Sequence, residues 1–273
     1  MKHKKILSLL FVFTLILACS TNPFTGKKTL ALVPNSQILP MAFQQYSQFL
    51  NEHKVINNTP DSRMIKNVGQ KISVAAERYL TANGYAGYLK DYRWDYNLVD
   101  DPAVNAWCMP GGKIVFYTGI LPITKGEVGI AAVMGHEVAH ALANHGQQRM
   151  SAGQLQMLGA VAGNLALSND PENQQIFNTA YGIGSTVGVM LPFSRSHESE
   201  ADRIGLTLMA IAGYEPMEAA NLWVRMKAKG GGAPPEFLST HPSSDRRINN
   251  IKAWVSEAKM EARKYGVTSF KRQ

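Results

Sequence analysis

Cysteine is scarce: Cys19 and Cys108 are the two in 273 residues, too few for a disulfide scaffold. Strong charge of one sign is missing as well, since 28 Lys+Arg stand against 20 Asp+Glu, a mild excess that gives a nucleic-acid partner no footing. No internal repeat is visible. With 45% hydrophobic, 18% charged and 9% aromatic residues the chain has ordinary globular composition, which argues against disorder, collagen or a polytopic membrane protein.

The N-terminus departs from this average. Lys2, Lys4 and Lys5 precede the charge-free stretch Ile6–Ala18, and Cys19 follows a small residue. A stretch of that length covers about 20 Å as a helix, short of the roughly 30 Å of a hydrocarbon core, so a cleaved secretory signal fits better than a spanning helix. Residues 1–18 are therefore expected to be a signal peptide. Ile16-Leu17-Ala18-Cys19 resembles a bacterial lipobox, which implies a lipid on Cys19, membrane attachment through it, and a location in the bacterial cell envelope, periplasm-facing, with the outer membrane favoured. Removing three lysines with the signal lowers the formal charge from +8 to +5.

Residues 19–40, with Pro23, Gly26, Pro34 and Pro40, read as a tether, and 41–273 as one folded domain. Thr59-Pro60-Asp61 introduces a helix over about 60–81 with Ile65, Val68, Ile72 and Ala76 on one face. Tyr92–Val99 alternates as a strand. Asn105–Met109 and Lys113–Thr118 flank Pro110-Gly111-Gly112 as a hairpin. Thr124 and Glu127 have capping-box spacing at the head of a helix reaching about Gln148. Leu155–Leu167 and Ile176–Leu191 are apolar but interrupted by Gln156, Asn164, Asn178 and Ser185, which favours closely packed core helices or a lid over membrane contact. Further helices are expected from Pro216 to about Lys229, stopped by Gly230-Gly231-Gly232, and over Ser244–Lys264, with Ile248, Ile251, Val255 and Ala258 on one face.

His136-Glu137-Val138-Ala139-His140 carries the chemistry. Chance would place H-E-x-x-H in about one such chain in a hundred. At about 100° per residue the two imidazoles lie roughly 40° apart, so they can hold one ion, with Glu137 beside them to take a proton from water. Neutral imidazoles and an open fourth position point to zinc, one ion per chain. Two histidines bind zinc poorly, so a third ligand is needed. His145 is nearby but points about 140° away if the helix continues. Cys108 could come from an upstream strand, although a free Cys is more often simply packed. Glu198 and Asp202 share a helical face, but they could equally be the acidic start of a helix.

Together with Phe193-Ser194-Arg195-Ser196-His197-Glu198-Ser199-Glu200-Ala201-Asp202, and with His241-Pro242 and Arg247-Ile248, the HExxH run resembles the zinc metalloprotease family of HtpX and the CAAX prenyl endopeptidases. Within that family the chain is most similar to the bacterial envelope lipoprotein branch that includes BepA and LoiP, over about Pro60–Trp254. The resemblance implies an α+β fold, a mostly helical zincin-like domain with a small sheet beside the zinc helix. It implies His136, His140 and Glu198 as metal ligands, Asp202 as the partner of a ligating histidine, Glu137 as catalytic base and His241 as a second catalytic group near the metal. The function it implies is a zinc endopeptidase of envelope-protein quality control, acting on misfolded or assembling polypeptides. Main-chain hydrogen bonding would let such a peptide lie extended along an edge strand from Asn105–Thr118. The alternative is a chaperone-like assembly factor whose zinc site is closed by His241.

Overall fold

The computed structural model describes residues 19–229, 236–242 and 244–272; the expected signal 1–18 and the helix stop at Gly230–Gly232 lie outside them. Where one body was expected over 41–273, contacts cluster into two compact units. One joins residues up to Ile38 with Asn144–Ser196, and the other joins Leu39–Ala143 with His197–Gln273.

The larger unit is built on a four-stranded sheet of β3 (Val55–Ile56), β4 (Asp95–Val99), β5 (Ala106–Met109) and β6 (Lys113–Tyr117), in the order β3-β4-β6-β5. β4 and β6 run parallel, while the β5–β6 hairpin is antiparallel as its Gly-Gly turn foretold. Of the expected edge segment, β5 alone is an edge, because β6 is paired on both sides. Alternation divides the side chains between two buried faces. Asn97, Val99, Val115 and Tyr117 face helix α1 (Asn35–Glu52), whose Tyr46 joins them and accepts a hydrogen bond from Asn97 at 2.8 Å. Tyr96 lies against α2 (Pro60–Ala82), over Gly69.

Helix α2 starts as its sequence specifies, with Thr59 and Ser62 capping each other reciprocally and Ile65, Val68, Ile72 and Ala76 fully buried. The next start does not. A short helix, α3 (Leu121–Thr124), forms first, and the Thr124 hydroxyl bonds back to the Leu121 carbonyl. Lys125 turns through a left-handed conformation, and Gly126, at φ 144°, becomes the N-cap of α4 (Glu127–Leu142). Helix α4 carries the HExxH run and is buried from Val128 to Leu142, as a core helix apolar on all sides must be. It ends at Leu142, not near Gln148, because Asn144 takes a left-handed conformation. The Tyr88 and Tyr92 hydroxyls donate to the Leu142 and Ala141 carbonyls in the last turn, where carbonyls run short of intrahelical donors.

Beyond α4, the larger unit receives most of α7 (Leu191–Ile211), then α8 (Met217–Lys229), the single-turn α9 (Glu236–Thr240) and α10 (Asp245–Lys264). Ser244 caps α10, and Ile248, Ile251, Val255 and Ala258 form its buried face.

In the smaller unit, β1 (Cys19–Thr21) and β2 (Lys28–Leu30) form an antiparallel hairpin inside the segment expected to be a tether, and Cys19 is exposed. β2 packs on α5 (His145–Ala166), and Ser151 of α5 accepts a hydrogen bond from the Leu32 amide at 3.0 Å. Helix α6 (Pro171–Ser185) pairs with α5. The residues that interrupt the apolar segments bond each other across this pair: Asn164 to Asn178 at 2.7 Å and Gln156 to Ser185 at 2.7 Å. The expectation of closely packed core helices is corrected, since Met157, Leu165 and Ile183 are each more than 60% exposed. Among the described residues no helix is long and apolar enough to cross a membrane.

Candidate metal centre

The donor residues come from three separate stretches of the larger unit. His136 and His140 lie one turn apart on α4, Glu198 and Asp202 one turn apart on α7, and His241 follows α9. What lets α7 approach α4 so closely is a pair of glycines. A Cβ on Gly205 would lie 2.9 Å from the Gly135 carbonyl carbon and the His136 nitrogen, and one on Gly135 would lie 2.9 Å from the Gly205 oxygen. The backbones cross in contact, immediately before His136 and one turn after Asp202.

One ligand atom from each of His136, His140, Glu198 and His241 falls within a 4.8 Å group. His136 Nε2 is 3.1 Å from His140 Nε2 and 3.4 Å from a Glu198 oxygen, and His140 Nε2 is 3.3 Å from the other Glu198 oxygen. These separations test the fit for zinc. Two ligand atoms about 2.05 Å from a tetrahedral ion are about 3.3 Å apart, so the spacing of the two imidazoles and the carboxylate suits zinc. Three imidazoles and a carboxylate are also the donor types that zinc takes.

Around these donors stand the groups that orient and activate. Asp202 Oδ1 lies 3.0 Å from His136 Nδ1, the arrangement that fixes a histidine's tautomer and ring direction. Glu137 is 3% exposed and points toward His241, 3.5 Å from its Nε2. His241 Nδ1 reaches Glu198 at 2.8 Å and His136 Nε2 at 3.1 Å. Phe237 lies against the His241 ring and is itself stacked on Trp223, while its amide donates to the Val104 carbonyl just before β5.

Burial and charge work against each other here. Burial alone would lower His136, but the Asp202 and Glu198 carboxylates raise it to about 9. Burial lowers His140 well below its ordinary value despite Glu198, and the charges of His136 and His241 add to that effect. Glu198, which burial would raise, is held far below the usual carboxylate range by hydrogen bonds from the three imidazoles. Asp202 is likewise lowered against its burial by Arg247 and His136. The group is therefore a dense, buried cluster of alternating charge, suited to exchanging protons for a cation.

The structure brings together His136, Glu137, His140, Glu198, Asp202 and His241. Two other thiol and imidazole candidates fall outside the donor group. His145 opens α5 in the other unit. Cys108 is half-buried on β5 and donates to the Met109 carbonyl, with its thiol pushed well up by desolvation and the Glu137 carboxylate. Sequence reasoning gave no role to Arg247 or Trp223. Arg247 pairs with Asp202 through two hydrogen bonds at 2.7 and 2.8 Å and lies 3.5 Å over the Trp223 ring. The sequence signal for Arg247 was its place six residues after His241.

Comparison with known proteins agrees with this geometry. The model for peptidase family M48 matches residues 70–255. The chain is similar to the mitochondrial metalloendopeptidase OMA1 of Schizosaccharomyces pombe, 38% identical over 70% of this chain and 54% of that one. It is similar to OMA1 of Saccharomyces cerevisiae at 35% over 73% and 57%, and to the β-barrel assembly-enhancing protease of Escherichia coli at 24% over 86% and 47%. The chain thus spans about half the length of these curated relatives. The expected bacterial-envelope localisation is overturned by this finding, since the relatives of higher identity are mitochondrial by name and the bacterial one is weaker.

Proposed function

Because this chain belongs to peptidase family M48, we propose that it is a zinc endopeptidase in which His136, His140 and Glu198 hold the metal and Glu137 is the catalytic base. The observation that carries the reading is the spacing of those three side chains at 3.1–3.4 Å with Glu137 beside them. Bound zinc supplies Lewis acidity toward a peptide carbonyl and water. Glu137 takes the proton of the attacking water and returns it to the leaving amine. Asp202 holds His136 by its far nitrogen. The substrate polypeptide lies extended along β5, an edge strand of the sheet, where main-chain hydrogen bonds tolerate many sequences. Likeness to the β-barrel assembly-enhancing protease supports, more weakly than likeness to OMA1 supports a metalloendopeptidase, a place near BepA and LoiP and a quality-control role. The test is Glu137→Gln. It should keep one zinc per chain and lose cleavage of unfolded casein, and full cleavage would refute the mechanism.

A second reading, a chaperone-like factor with a gated site, is favoured by the 2.8 Å contact between His241 and Glu198. His241 then occupies the position where a substrate carbonyl or water would sit. A His241→Ala variant that cleaves much faster supports a gated protease, whereas binding of unfolded protein without cleavage in every variant supports the chaperone.

A further inference from the structure

We infer that Arg247 assembles the metal group, holding the Glu198 and Asp202 carboxylates at once so that Glu198 offers one oxygen to the ion and His136 is fixed in one orientation. The inference rests on the zinc reading above and deepens it.

Arg247 is 8% exposed, in the first turn of α10, where a helix dipole disfavours a cation. Its burial there is explained by what the guanidinium touches. Nε and Nη2 bind the two oxygens of Asp202 at 2.7 and 2.8 Å, the paired geometry a planar fork provides. Nη1 lies 3.2 Å from Glu198 Oε2 and donates to the Pro242 carbonyl at 3.2 Å. One side of the plane lies on Trp223, with its carbon 3.5 Å from the ring centroid, and Nη2 comes within 3.4 Å of the His136 ring. One side chain on α10 thereby ties down α7 at two points, reaches α4, and fixes the residue after His241.

Glu198 is affected in two ways. Each oxygen lies near one ligand histidine, Oε2 3.4 Å from His136 Nε2 and Oε1 3.3 Å from His140 Nε2, but Oε2 is also engaged by Arg247 and His241, which leaves Oε1 as the oxygen to bind the ion. The charges also balance. Glu137, Glu198 and Asp202 are three buried carboxylates, and a divalent ion with one guanidinium neutralises them. Without Arg247 the site would carry an uncompensated buried negative charge, and Glu198 would be free to turn both oxygens to the metal. Lysine does not substitute, because a point charge cannot grip Asp202 with two parallel bonds, reach Glu198 and stack on Trp223.

The test uses Arg247→Met and Arg247→Lys beside the wild-type full chain. Zinc affinity is measured by competition with a coloured chelator, metal-free melting shows that each variant folds, and the absorption spectrum is recorded with cobalt(II) in place of zinc. Both variants should bind zinc about 10- to 100-fold more weakly. Their cobalt spectra should lose intensity as four-coordinate geometry gives way to five-coordinate, and lysine should fail to rescue either signal. If Arg247→Met does not fold, Arg247→Lys decides. Folded variants with wild-type affinity and spectrum, or full rescue by lysine, would overturn the role of Arg247 alone. A folded wild-type chain that binds no zinc would overturn the zinc reading itself.

Discussion

Replacing Gly205 by alanine puts the geometry of the site to a quantitative test. The added Cβ would sit 2.9 Å from backbone atoms of Gly135 and His136, all of them main chain and unable to swing aside. Ordinary carbon contacts lie near 3.6 Å, so α7 must withdraw from α4 by about 0.7 Å at the crossing. The ligand atoms that these helices present to each other are 3.3 and 3.4 Å apart. A metal site tolerates displacements of about 0.2 Å in its bonds, so a shift of this size cannot be absorbed without loss. Overpacking of this kind costs about 1–3 kcal/mol, which lowers Tm by roughly 2–10 °C for a domain of this size. Zinc affinity should fall at least tenfold, as for loss of an orienting contact. Calorimetry of the metal-free protein reads the first effect and chelator competition reads the second. Gly153→Ala is the control, since it lies in α5 with open space around its Cβ and should be neutral or slightly stabilising. An unchanged Tm with unchanged zinc affinity in Gly205→Ala would show that the glycine crossing does not set the ligand spacing.

Glu127 opens α4 under hydrogen bonds from Lys71, Lys271 and Tyr214, which outweigh the upward pull of burial and bring its pKa from 4.5 down to about 2. A depressed carboxylate stabilises the fold above its unfolded value and ceases to do so as pH falls from about 4.5 to 2. Glu127→Gln should therefore lower stability at neutral pH by roughly 1 kcal/mol, after discounting for the half-exposed lysines, and make acid unfolding less steep in that window. Equal acid-unfolding curves for the two proteins would refute this. Zinc uptake has its own pH dependence: the proton that Asp202 and Glu198 hold on His136 up to about pH 9 must leave when the metal enters. Affinity should rise about tenfold per pH unit between roughly pH 6 and 8, measured in a buffer that does not bind zinc, and a flat profile would contradict it.

Chemistry that lies within one helix could be read before the fold was known. The one-turn spacing of His136 and His140, and of Glu198 and Asp202, is a property of helical pitch alone, and the structure brings both pairs to one place. The α2 cap was legible for the same reason, because it depends on periodicity and local hydrogen bonding, whereas the α+β fold was implied by the family resemblance. The failures came where local signals competed. Thr124 and Glu127 have capping-box spacing, yet Thr124 ends one helix and Gly126 starts the next, a choice made by the left-handed turn at Lys125. Asn144 breaks the zinc helix before His145, and an asparagine in a helical run gives only a weak warning of that.

Relations between helices were hidden more deeply. Gln156, Asn164, Asn178 and Ser185 look like flaws in apolar segments, but each is one half of a pair whose other half lies on the neighbouring helix. Gly135 and Gly205 show the same limit at the functional site. Each taken singly is an ordinary mid-helix glycine, and only their contact explains how the two ligand-bearing helices come close enough to share one ion. Arg247 extends this logic, since its role depends on meeting Asp202, Glu198 and Trp223 from three other places in the sequence. Helical pitch selects the side chains that can bind metal, and backbone contact at the glycine crossing sets the distance between them. A search for HExxH with a later glutamate therefore tests the donors, whereas the small residues beside each motif decide whether they can meet.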